Sequence, residues 1–282
     1  MRAIKSIAEM QFYAKKIRGE KKSIGFVPTM GYFHDGHLSL MHEARLKNDI
    51  SVVSIFVNPA QFGKNEDFSI YPRDIERDSR MAMDAGIDIL FIPSNEEIYP
   101  QGFDTYIDCG NIGNILCGAS RPGHFRGVST IVTKLFNIVK PDRAYFGQKD
   151  FQQSVIIKKL TQDLNMDIEI VVLPVIREKD GLAMSSRNIF LSPEERKNAA
   201  ILFKSLQDAK DIILSGERNP DNVITQIKNK IEEVQKIKID YVCIVDKNTL
   251  QNKSVLEGVF IIVIAVFIGT IRLIDNIEIQ IT

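Results

Sequence analysis

Apolar residues in the first 175 positions come mostly as short unbroken runs. Residues 23–28, 49–58 (DISVVSIFVN), 87–93 (IDILFIP), 143–147 and 168–174 read as strands. Between them, apolar positions recur at helical spacing, as in Leu38, Met41 and Ala44. That spacing predicts helices over 36–47, 72–85, 129–139 and 151–164. Strands and helices in turn, with strands apolar along their whole length, mean a parallel sheet covered on both faces. Crossovers in such a sheet are right-handed. The expected fold class is α/β, a Rossmann-like doubly wound parallel sheet over residues 1–175.

The pattern changes near Ile176. A polar loop over 177–188 leads to Ser192-Pro193-Glu194-Glu195, a helix start with a serine cap, proline at the first helical position and acids in the first turn. Helices are expected to 215 and over 219–237, then strands over 239–245, 259–268 and 271–274. Helices followed by antiparallel strands predict a smaller C-terminal α+β domain over 176–282. No long linker separates the two, so the junction reads as a tight hinge. Residues 259–268 are ten unbroken apolar positions between Gly258 and Gly269. A spanning helix needs about twenty. The run is rich in Val, Ile and Phe and reads as a buried strand, with no membrane as partner.

Composition narrows the partners. Lysine plus arginine and aspartate plus glutamate number 36 each. A net charge of zero offers no electrostatic reason to expect nucleic acid or an anionic membrane. Three cysteines, Cys109, Cys117 and Cys243, are odd in number and lack metal spacing. They read as reduced thiols of a cytoplasmic protein. No charged-then-apolar leader opens the chain, so no export signal is expected.

Chemistry concentrates where strands give way to helices. Pro28-Thr29-Met30-Gly31-Tyr32-Phe33-His34-Asp35-Gly36-His37 follows the first strand. A helix N-terminus there offers backbone N–H groups and partial positive charge to phosphate. Gly36 lets a flat base press on the backbone, and His34 and His37 can donate to phosphate oxygens. Their i, i+3 spacing also suits a metal pair, but no third ligand with convincing spacing lies nearby. Asn58-Pro59-Ala60-Gln61-Phe62-Gly63 ends the second strand with two neutral amides, which bind hydroxyls and carboxylates without adding charge. Phe146-Gly147-Gln148-Lys149-Asp150-Phe151-Gln152-Gln153 again ends a strand and opens a helix. Gly147 allows close approach, Lys149 carries a point charge for phosphate, Asp150 suits a helix cap, and Gln153 lies one turn in. Gly181 to Asn188 (GLAMSSRN) is a polar loop with two hydroxyls and Arg187, which can hold phosphate through two parallel hydrogen bonds. Residues 121–127 (RPGHFRG) form a basic, glycine-rich stretch readable as a surface loop or as a functional one.

The turn at 34–37 resembles the HIGH signature of nucleotidylyl transferases, and the 184–187 loop resembles the KMSKS loop of the same enzymes. PTMGYFHDGH, SIFVNPAQFG, YPRD (Tyr71 to Asp74), RPGHF, PDRAYFGQKDFQQ, GLAMSSRN and RLIDN (Arg272 to Asn276) occur in one order along the chain. Together they resemble the pantoate–β-alanine ligase family, within the HIGH-motif superfamily.

The resemblance implies an AMP-forming ligase. Pantoate attacks the α-phosphorus of Mg-ATP to give pantoyl adenylate and pyrophosphate. The amine of β-alanine then attacks the acyl carbon, releasing pantothenate and AMP. It implies ATP with Mg²⁺ as a substrate complex, no tightly bound organic cofactor, and a cytoplasmic homodimer. Carried over by motif, Met30, Gly31, Tyr32, Phe33, His34, Asp35, Gly36 and His37 would contact ATP. His37 would be the catalytic histidine, acting with His34, Lys149 and Arg187. Gly147, Gln148, Lys149 and Asp150 would bind the nucleotide, Ile176 would present backbone to adenine, and Met184, Ser185, Ser186 and Arg187 would close over the triphosphate. Gln61 and Gln153 would hold pantoate, Gln61 also lying near β-alanine, and Asn58 would support that pocket. The sequence names no Mg²⁺ ligand. A different HIGH-motif nucleotidylyltransferase, acting on a phosphorylated acceptor, is the competing reading; it needs extra cations where this chain has Gln61, Gln153 and Asn58.

Overall fold

The computed structural model describes residues 1–64 and 66–281. The chain runs β1 (Arg2–Ile4), α1 (Ile7–Gly19), β2 (Ile24–Thr29), α2 (Asp35–Lys47), β3 (Ile50–Ile55), α3 (Ile75–Asp84), β4 (Ile89–Phe91), α4 (Asn95–Ile98), α5 (Cys117–Ser120), α6 (His124–Val139), β5 (Arg143–Gly147), α7 (Phe151–Asp163) and β6 (Glu169–Leu173). It continues through α8 (Pro193–Ala199), α9 (Ile201–Leu214), α10 (Pro220–Glu232), β7 (Ile237–Asp246), β8 (Gly258–Ile268) and β9 (Ile271–Ile281). Two compact units result: Met1–Gly147 with Ile156–Pro174, and Gln148–Val155 with Val175–Thr282.

The first unit is built on a six-stranded parallel sheet in the order β1-β4-β3-β2-β5-β6. β2 lies between β3 and β5, so the chain builds outward in one direction through β3 and β4 and in the other through β5 and β6. The carboxyl ends of β2 and β5 flank that reversal, where open α/β sheets bind ligands. Successive β2 side chains face opposite ways. Val27 joins Phe33, Leu40, Met41, Ala44, Val53, Ala82 and Tyr145 in a core with α2 and α3. Phe26 faces away from it, its ring centroid 6.5 Å from that of Phe136 on α6. Both faces are covered, which is why the strands are apolar throughout.

In the second unit, β7-β8-β9 form an antiparallel sheet. Leu202, Leu206, Ile213, Val223, Ile227 and Ile231 of α9 and α10 pack against Phe260, Ile262, Ile264 and Val266 of β8. The ten-residue apolar run is thus the central strand, with Ile261 and Ala265 on its other face also buried. Among the described residues no helix is long and apolar enough to cross a membrane.

The structure departs from the sequence expectations at several ends. β1 and α1 give weak local signals: β1 has three residues, and α1 buries only Met10, Ala14 and Ile17 among charged neighbours. α6 begins at His124, five positions before the expected 129, because Gly123 turns the chain with φ +83°. The expected helix to 215 is two, α8 and α9, meeting at Ala200. β9 continues to Ile281, past the polar residues Asp275 and Asn276, which the expected strand over 271–274 excluded.

Candidate active site

The turn after β2 is held by its own histidines. His34 is the N-cap of α2, and its Nδ1 accepts the Gly36 N–H at 3.1 Å. The His37 Nδ1 accepts the His34 N–H at 3.3 Å, closing a capping box in which both acceptors are imidazoles. An Nδ1 that accepts carries no proton, so each neutral ring bears its hydrogen on Nε2 and is a donor there. The two rings lie 4.1 Å apart at the start of a helix whose first N–H groups and dipole favour an anion. Gly36 leaves room for this: a Cβ there would sit 2.8 Å from His34 Cε1.

A carboxylate on α3 shapes the turn from behind. Gly31 and Tyr32 both have positive φ, +84° and +53°, an uncommon conformation for a tyrosine. Asp78 accepts the Tyr32 N–H at 2.6 Å and the Phe33 N–H at 2.8 Å. Arg77 donates to the Phe33 carbonyl at 2.7 Å and stacks 4.9 Å over the Tyr32 ring. Asp78 is wholly buried. Burial pushes its carboxyl above the ordinary range, while the two N–H groups and Arg77 pull the other way without cancelling it.

The turn after β3 leaves the same edge of the sheet. The Asn58 Nδ2 donates to Gln61 Oε1 at 3.1 Å and to the Gly127 carbonyl at 3.1 Å. Its Oδ1 accepts the Tyr99 hydroxyl at 2.7 Å, and burial keeps that phenol in its protonated, donating form. The Gln61 Nε2 in turn reaches Met30 Sδ at 3.0 Å, so the turns after β2 and β3 touch. The Gln61 backbone is clamped as well. The His124 Nδ1 lies 2.8 Å from its carbonyl, Arg121 Nη2 donates to the same oxygen at 3.3 Å, and Arg121 Nη1 lies 3.1 Å from His124 Nε2. A carbonyl only accepts, so His124 is protonated on Nδ1 and takes the Arg121 hydrogen on Nε2. Glu66 closes the cluster with two hydrogen bonds from Arg121. Burial works against the Glu66 charge, but Arg121 prevails and holds its pKa below the ordinary value.

The second unit carries the other predicted residues. Gln148–Asp150 form a short 3-10 turn ahead of α7, with Lys149 Nζ 4.0 Å from Asp150 Oδ1. Residues 177–183 make a small hairpin, bridged at Arg177 and Ala183. The Met184 N–H donates to the Ile176 carbonyl at 3.0 Å. Arg177 forms a two-pronged ion pair with buried Asp275 at 2.6 and 2.9 Å. Ser185 caps the next 3-10 turn through the Arg187 N–H at 3.3 Å, and Ser186 is buried. The polar loop is thus tied at both ends, with Met184, Ser185 and Arg187 half-buried.

Known proteins share this whole chain. The family model for pantoate–β-alanine ligase matches residues 2–278. The pantothenate synthetase of Fervidobacterium nodosum is 56% identical, with 98% of each chain covered. The chain belongs to the pantoate–β-alanine ligase family. The crystal structure of pantothenate synthetase from Thermus thermophilus superposes with a TM-score of 0.95 at 41% identity over 100% of both chains. That of pantoate–β-alanine ligase from Francisella tularensis, complexed with β-γ ATP and β-alanine, does so with 0.80 at 35% identity over 98% of this chain and 97% of that one.

Set beside the expectations for a pantoate–β-alanine ligase, the first unit gathers residues 30–37 with Asn58 and Gln61. The second gathers Gln148–Asp150 with Ile176 and the 184–187 loop. Phe33, expected to contact ATP, and Asn58, expected to support the pantoate pocket, are both buried. Phe33 has its side chain in the core and both backbone groups taken, so it shapes the turn without facing a ligand. Asn58 is 1% exposed with both amide atoms engaged, so it orients Gln61. The stretch at 121–127, left open between surface and function, has its Arg121 and His124 on the Gln61 backbone. Asp78, Arg77, Tyr99 and Glu66 were not foreseen. A signal for Asp78 existed: it lies four residues before buried Ala82, on the core face of α3. Among the described residues no group of three or more His, Cys, Asp or Glu side chains is placed to hold a metal ion.

Proposed function

We propose that this chain condenses pantoate with β-alanine at the expense of ATP, through a pantoyl adenylate. In the first step a pantoate carboxylate oxygen attacks the α-phosphorus and the bond to the bridging oxygen breaks, releasing pyrophosphate. In the second the β-alanine nitrogen attacks the acyl carbon, loses a proton, and AMP departs. The observation that carries the reading is the Gln61 amide, held by Asn58 against Met30 beside the histidine-capped turn of α2. A neutral amide suits a small hydroxy acid, and the nearby Arg121 charge is matched by Glu66. A phosphorylated acceptor would call for an uncompensated cation.

Each residue then has a physical task. The Nε2–H groups of His34 and His37 and the first N–H groups of α2 donate to phosphate. Lys149 and Arg187 add positive charge where the five-coordinate phosphorus gathers negative charge. Mg²⁺, arriving on the triphosphate, supplies further charge neutralisation. The carboxylate is already a nucleophile, so His37 acts as a fixed donor rather than a base. Gln61 and Gln153 hold pantoate, Ile176 meets adenine through backbone, and residues 184–187 exclude water from the mixed anhydride. On the same reading the chain works in the cytoplasm as a homodimer.

An AMP-release assay tests this. AMP should appear only when ATP, pantoate and β-alanine are all present. Activity with CTP and a phosphorylated alcohol instead would overturn it in favour of a nucleotidylyltransferase.

A further inference from the structure

The motif Arg272 to Asn276 has no task in the mechanism above, yet its last two residues are among the few buried polar groups of the second unit. Asn276 lies on β9, 128 residues from Gln148 in the chain. Its Nδ2 donates to the Gln148 carbonyl at 2.9 Å and to the Lys149 carbonyl at 3.1 Å, and its Oδ1 accepts the Gln148 amide at 3.3 Å. Asn276 is itself held still. Its N–H donates to Asp275 Oδ1 at 2.7 Å, and its carbonyl accepts from Arg177 Nη2 at 3.3 Å. The same Arg177 grips Asp275 and donates to the Gly181 carbonyl at 3.0 Å. Two adjacent residues of one strand therefore anchor both the turn bearing Lys149 and the hairpin leading to Ser185 and Arg187.

From this geometry we infer that Asn276 is the positioning residue for Lys149, setting the backbone from which the lysine reaches phosphate. The inference rests on the nucleotide-binding role proposed for Lys149 and adds its mechanical support. A side-chain amide carries two hydrogens, and here they meet two consecutive carbonyls. Both peptide planes around Lys149 are then fixed, and with them the direction of its Cα–Cβ bond. A lysine side chain has four further rotatable bonds and is entropically loose. Fixing its root is the part of its placement that the fold can supply. Folded chains bury few polar side chains without partners, and in Asn276 every side-chain hydrogen-bonding atom serves this turn.

The reading predicts coupling rather than mere loss. Asn276→Ala and Lys149→Ala should each weaken Mg-ATP binding, measured by calorimetry with no pantoate present, and the double variant should bind no more weakly than Lys149→Ala alone. In turnover, Asn276→Ala should lower kcat about tenfold to a hundredfold, as ångström-scale misplacement of a catalytic group does, with KM for β-alanine unchanged. Asn276→Asp, which turns an acceptor toward the two carbonyls, should lower kcat at least as far, and thermal melts of both variants separate the effect from a folding defect. Effects of Asn276 and Lys149 that multiply independently would overturn the inference, as would wild-type kcat in either Asn276 variant. If the wild type binds Mg-ATP with the predicted coupling but makes no AMP from pantoate and β-alanine, the substrate reading fails while this one stands.

Discussion

Asp78 accepts the backbone N–H of Tyr32 at 2.6 Å across 46 residues of chain. This bond holds a tyrosine at positive φ, and with the neighbouring bond to Phe33 it sets the entry to the histidine-capped helix. Backbone held in a sparsely populated region costs about 1–3 kcal/mol and persists only where surrounding structure compels it. Here the compelling group is a buried charge.

That charge serves geometry more than stability. The Asp78 pKa is raised by burial above the ordinary 3.8. A group raised on folding contributes stability that is present below its unfolded value and lost as pH rises through its folded one. Asp78→Asn escapes this loss, so its melting temperature should gain on wild type as pH rises from about 4 towards neutrality. Its amide can accept only one of the two N–H groups, so turnover should fall about tenfold to a hundredfold. A variant that loses stability relative to wild type over that rise, or that turns over normally, would contradict this account.

Glu66 should show the opposite sign. Arg121 holds its pKa below the ordinary 4.5, so its contribution is present above that value and lost as pH falls through the lowered one. Glu66→Gln should cost about 1.5–3 kcal/mol at neutral pH, the range for hydrogen bonds to charged groups, and the gap from wild type should close in acid. Denaturant melts across pH check it; a gap that widens in acid would refute the ion pair's role.

Capping and catalysis by His34 can be separated. His34→Ala should lose the cap, about 1 kcal/mol, whereas His34→Asn supplies an equivalent acceptor. Thermal melts should therefore distinguish the two variants. Both lack the Nε2–H donor, so both should lose about 10²–10³ in turnover. Should His34→Asn restore turnover along with stability, the histidine is only a cap.

Gly127 tests how tightly the Gln61 turn is held. A Cβ there would overlap the Ala60 carbonyl and come within 2.6 Å of the Gln61 nitrogen. Helix propensity favours alanine by about 0.5–1 kcal/mol, so any damage from Gly127→Ala comes from that contact. KM for pantoate should rise about tenfold, a shift of about 1.4 kcal/mol, with KM for ATP unchanged. Equal changes in both would show that the turn does not report on pantoate.

Much of this protein was legible residue by residue. Unbroken apolar runs separated by helical spacing fix a two-faced parallel sheet, because each run must bury both its faces. Glycines and histidines between strand and helix mark where backbone donors gather. Gln148, Lys149 and Asp150 were visible as a candidate turn for the same reason. Their support was not, since Asn276 reaches them from a strand whose polar pair looked like the end of an element.

What the sequence alone determined, then, is the order and burial of most of the elements, β1 and α1 aside, and the loops that carry chemistry, since these follow from local periodicity and turn residues. What only tertiary structure decided is how those loops are aimed. Asp78 on Tyr32 and Phe33, Arg121 and His124 on Gln61, and Asn276 on Gln148 and Lys149 are side chains bonded to distant backbone. A backbone carbonyl or N–H has no residue identity, so no local pattern records which side chain will meet it until the chain has folded.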